Sequence, residues 1–436
     1  MVISVLDFGA KPNSKEVQTK CFQDALDYCF NNGGGEVVVP SGEYLIGSIQ
    51  VKSNTTFHLL SGAKLTASRN LADYTVYTDI DPDDFLSECF HPRREYYRNW
   101  NRALICIYQS KNVTILGDEN SLIDGQNSYN PEGEQNFRGP HLISALQSEN
   151  LVFKGYTAKD SGNWCHCTQM NKNVLVDGLT ILGGHDGLDF FRSDNVVVQN
   201  CRIFTGDDCI AGYDNLNVTI RNCVMNTSCN VIRFGGKNVL IENCEVPGPG
   251  SYVQRYDMTK EELEKGVNIE PKDFKFRREC MRIFYVYYAD LRYKTRFLPS
   301  NILVRNCKVT NCHKFFSYTF HDSVKWQKGS PMGEITFDNV SITGVNDSIR
   351  AIADPNQPFE LTVKNCDINF IDPTVPFLRA ANFKNITFEN VTTNNNQQPF
   401  AIEYGNAGTI SVKGGNLKEN GEIQSKAYEE FIMPPH

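Results

Sequence analysis

The sequence predicts an all-β fold, a single-domain right-handed parallel β-helix with an N-terminal capping helix. Three observations predict it. A short strand pattern recurs along the chain about every 22 residues. The recurring strands open on asparagine and end on Asn-Cys or glycine. Only one long segment has helical periodicity, and it lies near the N-terminus.

The repeat is an asparagine followed by alternating apolar and polar residues. Clear copies begin at Asn112, Asn150, Asn173, Asn195, Asn217, Asn238 and Asn301, and weaker ones at Glu334, Glu360, Asn385 and Thr409. From Asn150 to Asn238 the spacings are 23, 22, 22 and 21 residues. At ~3.3 Å per strand residue, three short strands and their turns use this length in one coil. We expect each coil to stack on the previous one at the ~4.8 Å spacing of paired strands.

Cysteines recur in register with the repeat. Four copies end in Asn-Cys, at Cys201, Cys223, Cys244 and Cys307. This row predicts an interior stack of thiols beside asparagines whose amides bond to neighbouring coils. A metal site is the alternative interpretation, as it is for Cys165-His166-Cys167, where alternation places both thiols on one face and His166 on the other. We expect neither a metal nor a cofactor.

Residues 14–31 form the predicted capping helix. Ser14 is the expected N-cap, and the asparagines and glycines of residues 31–35 end the helix. Its apolar side carries Val17, Cys21, Ala25, Leu26, Cys29 and Phe30. The end of a solenoid exposes apolar side chains and unpaired backbone, and this helix is placed to cover the first coil.

Two insertions interrupt the repeat, at residues 72–103 and 247–281. We expect one domain over residues 1–436, and we expect both insertions to lie near a substrate-binding cleft on the β-helix. Loops that leave a rigid scaffold often carry binding residues, although they can also simply cover apolar coil surface.

Composition narrows the class of partner. The 43 basic and 51 acidic residues give a net charge of −8, which disfavours nucleic acid or a membrane surface. No apolar run approaches the ~20 residues of a membrane span. The residues from Met1 show no signal peptide, and the 15 cysteines favour reduced thiols, so we expect a cytoplasmic protein. A secreted protein with disulfides is the alternative if a leader has been removed.

Four carboxylates lie within 23 residues: Asp186, Asp189, Asp207 and Asp208. Asp186 and Asp208 are 22 residues apart, which is the repeat length, and Asn230 follows after another 22. These positions are expected to form one column on successive coils. Neighbouring carboxylates hydrolyse glycosidic bonds when one protonates the leaving oxygen and another activates water. Solvated turn acids, or a calcium site, are the alternatives.

Several motifs occur together: Phe8-Gly9-Ala10, the Gly-Gly-Gly-Glu-Val-Val-Val-Pro-Ser-Gly run of residues 33–42, Ile123-Asp124-Gly125-Gln126, Asn163-Trp164 and Gly206-Asp207-Asp208-Cys209-Ile210. As a set they resemble glycoside hydrolase family 28, which contains polygalacturonases and rhamnogalacturonan hydrolases. The resemblance implies a pectin-lyase-like β-helix that hydrolyses pectic glycans with inversion. It also implies that Asp207 is the general acid and that Asp186 and Asp208 hold the attacking water.

The chain departs from the family at three motifs. Gly184-His185-Asp186-Gly187 stands where the family has Asn-Thr-Asp-Gly, Asn230 takes the place of a histidine, and Arg282-Ile283-Phe284 lacks the lysine of Arg-Ile-Lys. The loss of the histidine and the lysine weakens the case for polygalacturonate as the substrate, unless Arg233 or the arginines at residues 277–278 restore a positive charge. The expected substrate-binding residues are His185, Asp189, Asn230, Arg233 and Arg282.

The sequence therefore predicts an inverting, exo-acting glycoside hydrolase for pectin-derived or related plant oligosaccharides. Its expected partner is an oligosaccharide or polysaccharide, with no nucleic acid and no membrane; the oligomeric state is left open. A polysaccharide lyase is one alternative, which needs a lysine or arginine base and commonly calcium. A catalytically inactive, glycan-binding β-helix is the other.

Overall fold

The computed structural model describes residues 1–75, 102–131, 138–255, 261, 281–287, 295–320, 330–402 and 407–424. The chain divides into two compact units, Met1–Cys209 with Ser251–Arg277 and Ile210–Gly250 with Arg278–His436. One domain over residues 1–436 stays a prediction. No helix among the described residues is long and apolar enough to cross a membrane.

The first unit contains helix α1 (Thr19–Asn31), two 3-10 turns (Val5–Phe8 and Leu71–Asp73) and most of the short strands. The strands are β1 (Val2–Ser4), β2 (Gly35–Val39), β3 (Gly42–Ile46), β4 (Ile49–Gln50), β5 (Thr55–Leu59), β6 (Ala63–Ala67), β7 (Ala103–Tyr108), β8 (Lys111–Gly117), β9 (Leu122–Asp124), β10 (His141–Leu146), β11 (Glu149–Lys154), β12 (Thr157–Lys159), β13 (His166–Gln169), β14 (Lys172–Asp177), β15 (Thr180–Gly183), β16 (Leu188–Phe191), β17 (Asp194–Gln199) and β18 (Arg202–Thr205).

From β2 to β15, each strand pairs in parallel with the strand three places further along the chain. One ladder runs β8–β11–β14–β17, a second β9–β12–β15–β18 and a third β7–β10–β13–β16. Three ladders with one strand each per coil define a parallel β-helix, and its crossovers are right-handed. The apolar positions of the repeat stack as the buried column Val113, Leu151, Val174 and Val196. The predicted fold class is confirmed.

The strands within the second unit also pair in parallel, and several of them are longer. They are β19 (Ile210–Arg221), β20 (Val224–Thr227), β21 (Asn230–Glu242), β22 (Glu245–Val246), β23 (Met281–Tyr287), β24 (Ser300–Thr319), β25 (Glu334–Val345), β26 (Ile349–Ile352), β27 (Glu360–Lys364), β28 (Asp367–Phe370), β29 (Leu378–Ala381), β30 (Asn385–Thr393), β31 (Phe400–Ile402), β32 (Thr409–Gly415) and β33 (Glu422–Gln424). Its core includes stacked aromatic rings, such as Phe284 on Phe315 at 6.1 Å between ring centres.

The asparagines of the Asn-Cys pairs bond across coils as predicted, with Asn243 donating to Asn222 at 3.4 Å and Asn306 to Asn243 at 3.3 Å. The strand-opening asparagines form a second ladder of side-chain amides, which was not predicted from the sequence. Asn150 donates to Asn112, Asn173 to Asn150 and Asn195 to Asn173, at 2.9, 2.9 and 3.0 Å. All four have left-handed backbones, with φ between 57° and 58°. Asparagine tolerates this conformation better than other residues with a side chain. The repeat therefore selects asparagine for both its backbone and its amide.

The Asn-Cys thiols are interior, as predicted. In the second unit the thiols of Cys223, Cys244 and Cys307 are buried, and each donates to the carbonyl two residues before it, at 3.2, 3.3 and 3.3 Å. Every cysteine that the structure describes is a free thiol. In the first unit the ring of His166 stacks on a core phenylalanine, and its Nε2 is 3.0 Å from the Tyr156 hydroxyl.

The capping helix begins later than predicted, at Thr19 rather than residue 14. Ser14 is not its N-cap, because it forms a parallel bridge with Tyr44. The N–H of Gln18, the actual N-cap, donates to the Leu45 carbonyl at 2.8 Å, which keeps the preceding residues extended. Phe22 then packs on the Tyr44 ring at 5.4 Å, so the helix covers the first coil.

The predicted insertions lie largely outside the described residues. Of 72–103 the structure describes 72–75 and 102–103; of 247–281 it describes 247–255, 261 and 281. Their predicted position near a cleft stays a prediction.

Candidate active site

The turn that carries Asp186 links β15 to β16 and stacks between two other turns. The N–H of Cys165 donates to the Asp186 carbonyl at 2.9 Å. On the other side, the N–H of Gly187 donates to the Asp208 carbonyl at 2.9 Å. Asp186 and Asp208 thus occupy neighbouring coils of the first unit, as their 22-residue spacing predicts.

The Asp186 carboxyl is buried among the other acids. Its side chain is 3% exposed, and its Oδ1 has no hydrogen-bond partner among the described residues. Burial raises the pKa of Asp186 well above its ordinary range, and the charges of Asp207, Asp189 and Asp208 raise it further. Arg138 acts in the opposite direction. The cluster therefore retains a proton at a pH where an isolated carboxyl has lost it.

Asp207 and Asp208 follow β18 on a tight turn. Oxygens of their two carboxylates lie within 4.8 Å of each other. The Thr205 hydroxyl donates to the Asp207 carbonyl at 2.7 Å, and the N–H of Asp208 donates to Asp207 Oδ1 at 3.1 Å. Asp208 is buried whereas Asp207 is half-buried, so Asp207 is the more accessible acid of the pair.

Asp189 lies on β16, in register with Cys167 on β13. Leu188 and Phe190, which alternate with it, are buried in the coil interior. Asp189 is itself only 7% exposed, and its charge raises the pKa of Asp186. The structure therefore places Asp189 in the same cluster as the other acids.

His185 is a buried, neutral imidazole. Burial lowers its pKa well below the ordinary value, and Arg255, Arg138 and His141 lower it further, while a hydrogen bond to the Gly162 backbone opposes them. Its Nε2 has no hydrogen-bond partner among the described residues. With Nδ1 bonded to the backbone, Nε2 is left as an acceptor.

The other predicted substrate-binding residues belong to the second unit. Asn230 is buried and Arg233 half-buried on β21, in register with Ile283 and Val286 of β23. Arg282 is in β23, and its side chain lies outside the described part of the chain. The structure thus brings together the four acids and His185, and the roles of these three residues stay predictions.

Sequence reasoning missed two buried arginines, Arg138 and Arg255. Arg138 donates through Nη1 to Asn163 Oδ1 at 3.1 Å, and its guanidinium lies 5.7 Å from the Trp164 ring centre. The Asn163-Trp164 motif pointed to this place, but Arg138 itself lies in a stretch without strand periodicity. Arg255 follows Pro- and Gly-rich residues at the start of an insertion, where no pattern indicates a buried side chain.

Pairs of neighbouring carboxylates are the catalytic groups of most glycoside hydrolases. Residues 29–233, which include the acids and His185, match the model of glycosyl hydrolases family 28, confirming the resemblance of the motifs.

A probable polygalacturonase of Vitis vinifera is 28% identical over 186 residues, which cover 41% of this chain and 36% of the relative. The match thus spans about a third of the relative's length. The family 28 exopolygalacturonase of Yersinia enterocolitica superposes with a TM-score of 0.65 at 18% identity, over 96% of this chain and 78% of its own. An exopolygalacturonase from Thermotoga maritima gives a TM-score of 0.67 at 15% identity, over 90% and 92%. At such identities the two structures establish the fold alone.

Proposed function

We propose that this protein is an inverting glycoside hydrolase that removes sugars from the end of pectin-derived or related oligosaccharides. The observation that carries the proposal is the buried Asp186 carboxyl: its Oδ1 has no partner within the described ranges, and other carboxylates lie around it. An unsatisfied buried acceptor is costly, and a bound water or sugar hydroxyl would satisfy it. The end-cutting action is part of the proposal, suggested by the names of the two exopolygalacturonases that share the fold.

Asp207 is the proposed general acid. It is the more exposed member of the adjacent pair, so it can reach the leaving oxygen of a bound glycan. Asp186 and Asp208, both buried, would hold the attacking water and accept its proton. This division uses the accessible acid for the bulky substrate and the buried acids for water.

The raised pKa of Asp186 constrains this mechanism. A carboxyl accepts a proton only after it has lost its own, so activity should require a pH above that raised value. Arg138 opposes the raised pKa and would help to keep Asp186 ionised in the working enzyme. In the competing assignment, Asp186 is the general acid. The pH profiles of D186N and D207N separate the two assignments, because they differ in which substitution removes the ascending limb.

The proposed substrate contacts are of two kinds, a neutral hydrogen-bond acceptor on His185 and the positive charges of two arginines. Nε2 of His185, which has no hydrogen-bond partner among the described residues, would accept a hydrogen bond from a sugar hydroxyl. Arg233 and Arg282 are proposed to contact the substrate, with Asn230 and Asp189. A galacturonate carboxylate would require one of these cations, whereas a neutral sugar would not.

The test is a panel of defined pectic and plant oligosaccharides with detection of new reducing ends. Wild type should release monosaccharide or disaccharide from one end. D207N should lose at least about a hundredfold in kcat, because proton donation to the leaving group is removed. D24N, the same change on the exposed face of α1, is the matched control. An unsaturated product would indicate a lyase, and binding without turnover a glycan-binding protein.

We also propose a cytoplasmic location. Free, buried thiols such as Cys201 and Cys244 support a reducing compartment. Recovery of the native protein in the extracellular fraction, with its thiols oxidised, would contradict it.

A further inference from the structure

The Arg255 side chain is completely buried in the first unit. Burying a guanidinium costs several kcal/mol unless hydrogen bonds replace its water. Nη1 donates to Asn127 Oδ1 at 2.9 Å, and Nη2 donates to the carbonyls of Asn127 and Ser128 at 3.1 and 3.3 Å. These bonds join positions 128 residues apart in the sequence. One side chain therefore ties a distant insertion to the coils.

Residues 253–255, which we call the strap, lie directly against the turns that carry the site. The N–H of Arg255 donates to the Gly184 carbonyl at 2.9 Å. A Cβ on Gly206 would lie 2.0 Å from the Val253 carbonyl oxygen. Gly184 immediately precedes His185, and Gly206 immediately precedes Asp207. The glycine of Gly-Asp-Asp is thus explained by the close approach of the strap.

The guanidinium end of the Arg255 side chain binds residues 127 and 128, and their neighbourhood is itself bonded to residues 67 and 68. The Ser128 hydroxyl donates to the Ser68 carbonyl at 3.2 Å, and the Gln126 amide donates to the Ala67 carbonyl at 2.5 Å. Ser68 lies just before the insertion of residues 72–103. The stems of both large insertions therefore meet where Arg255 ends.

Arg255 also affects the electrostatics of the site. Its charge is one of the causes that lower the pKa of His185. The three hydrogen-bond acceptors named above are uncharged oxygens, and the carboxylate of Asp160 is the charge that opposes the lowering of the Arg255 pKa by burial.

We propose that Arg255 is a positioning residue: it locks the strap between the turns that bear His185 and Asp207 and the junction at residues 126–128. The kinetic consequence rests on the proposed function, whereas the structural one does not. Displacing a catalytic group by about 1 Å costs up to ~100-fold in rate. Removing the lock should therefore lower kcat more than it raises KM.

The test compares R255A, R255K and the control R202A, whose arginine is exposed on β18. R255A should lose at least about tenfold in kcat, and added guanidinium should restore part of it. Urea has the same shape without the charge, so it should restore less. R255K supplies charge without the forked donors and should fall between R255A and wild type. R202A should match wild type.

Hydrogen exchange separates this inference from the proposed function. In R255A or R255K, peptides covering residues 125–128 and 251–255 should exchange faster, while β14 should not change. That result would support the lock even if wild type cleaved no oligosaccharide in the panel. Wild-type kcat in R255A, or unchanged exchange in both peptides, would overturn it. If R255A does not fold, the R255K exchange and kcat values decide.

Discussion

Asn173 is the clearest place to measure what the asparagine ladder contributes. N173A removes an exposed side chain that donates to Asn150 and accepts from Asn195, at 2.9 and 3.0 Å. It also forces alanine into a left-handed backbone with φ of 57°. The backbone costs ~1–2 kcal/mol, and two exposed amide bonds contribute ~0.5 kcal/mol each. We expect N173A to lower the free energy of unfolding by about 2–3 kcal/mol.

Urea denaturation of N173A and N173G measures the two contributions. Glycine accepts the left-handed backbone but forms no ladder, so N173G should lose only about 1–2 kcal/mol, part of it from the greater entropy of its unfolded chain. Ordinary exposed substitutions change stability by ~0.5 kcal/mol or less. A loss of this small size in N173A, or a larger loss in N173G than in N173A, would refute the reasoning.

Three further predictions concern titrating groups. D189N should shift the ascending limb of the kcat/KM profile to lower pH, because a like charge that raises the pKa of Asp186 is gone; an unmoved limb would contradict the cluster. D186N should raise the free energy of unfolding by ~0.5–2 kcal/mol near neutral pH, because a folded-state pKa above the unfolded one makes ionisation of the buried acid destabilising as pH rises. In thermal unfolding at acidic pH, where both forms are neutral, this gain should vanish. Burial lowers the pKa of His58, but hydrogen bonds to Asp118 and Glu36 outweigh it and leave the pKa raised. The stability from His58 should be complete below its unfolded pKa and lost as pH rises through the folded value; H58Q should flatten that slope in urea titrations from pH 5 to 9, and an unchanged slope would count against it.

The coils and the acid column could be predicted from the sequence because both follow from the repeat. A regular spacing fixes which residues are neighbours across coils, as it does for Asp186 and Asp208. The amide bonds between the Asn-Cys asparagines of successive coils follow for the same reason. The helix start was wrong because local capping residues at Ser14 cannot reveal that the Gln18 backbone bonds to a strand instead.

The arginines of the site could not be predicted, because tertiary contacts alone define them. Arg255 reaches Asn127 across 128 residues, and no local periodicity marks either partner. Gly206 is a second example of a feature whose cause could not be predicted from the sequence. The motif glycine was visible in the sequence, but its cause, the approach of the Val253 carbonyl, was not.

The most direct test of the central claim is the stereochemistry of the first product. Proton NMR would follow the anomeric signals as wild type cleaves an α-linked galacturonide oligosaccharide, with D207N as the inactive comparison. If Asp207 is the general acid and Asp186 and Asp208 hold the attacking water, the reaction inverts the anomeric centre. The β anomer should then appear first and mutarotate afterwards. Initial release of the α anomer, or an unsaturated product, would contradict the account.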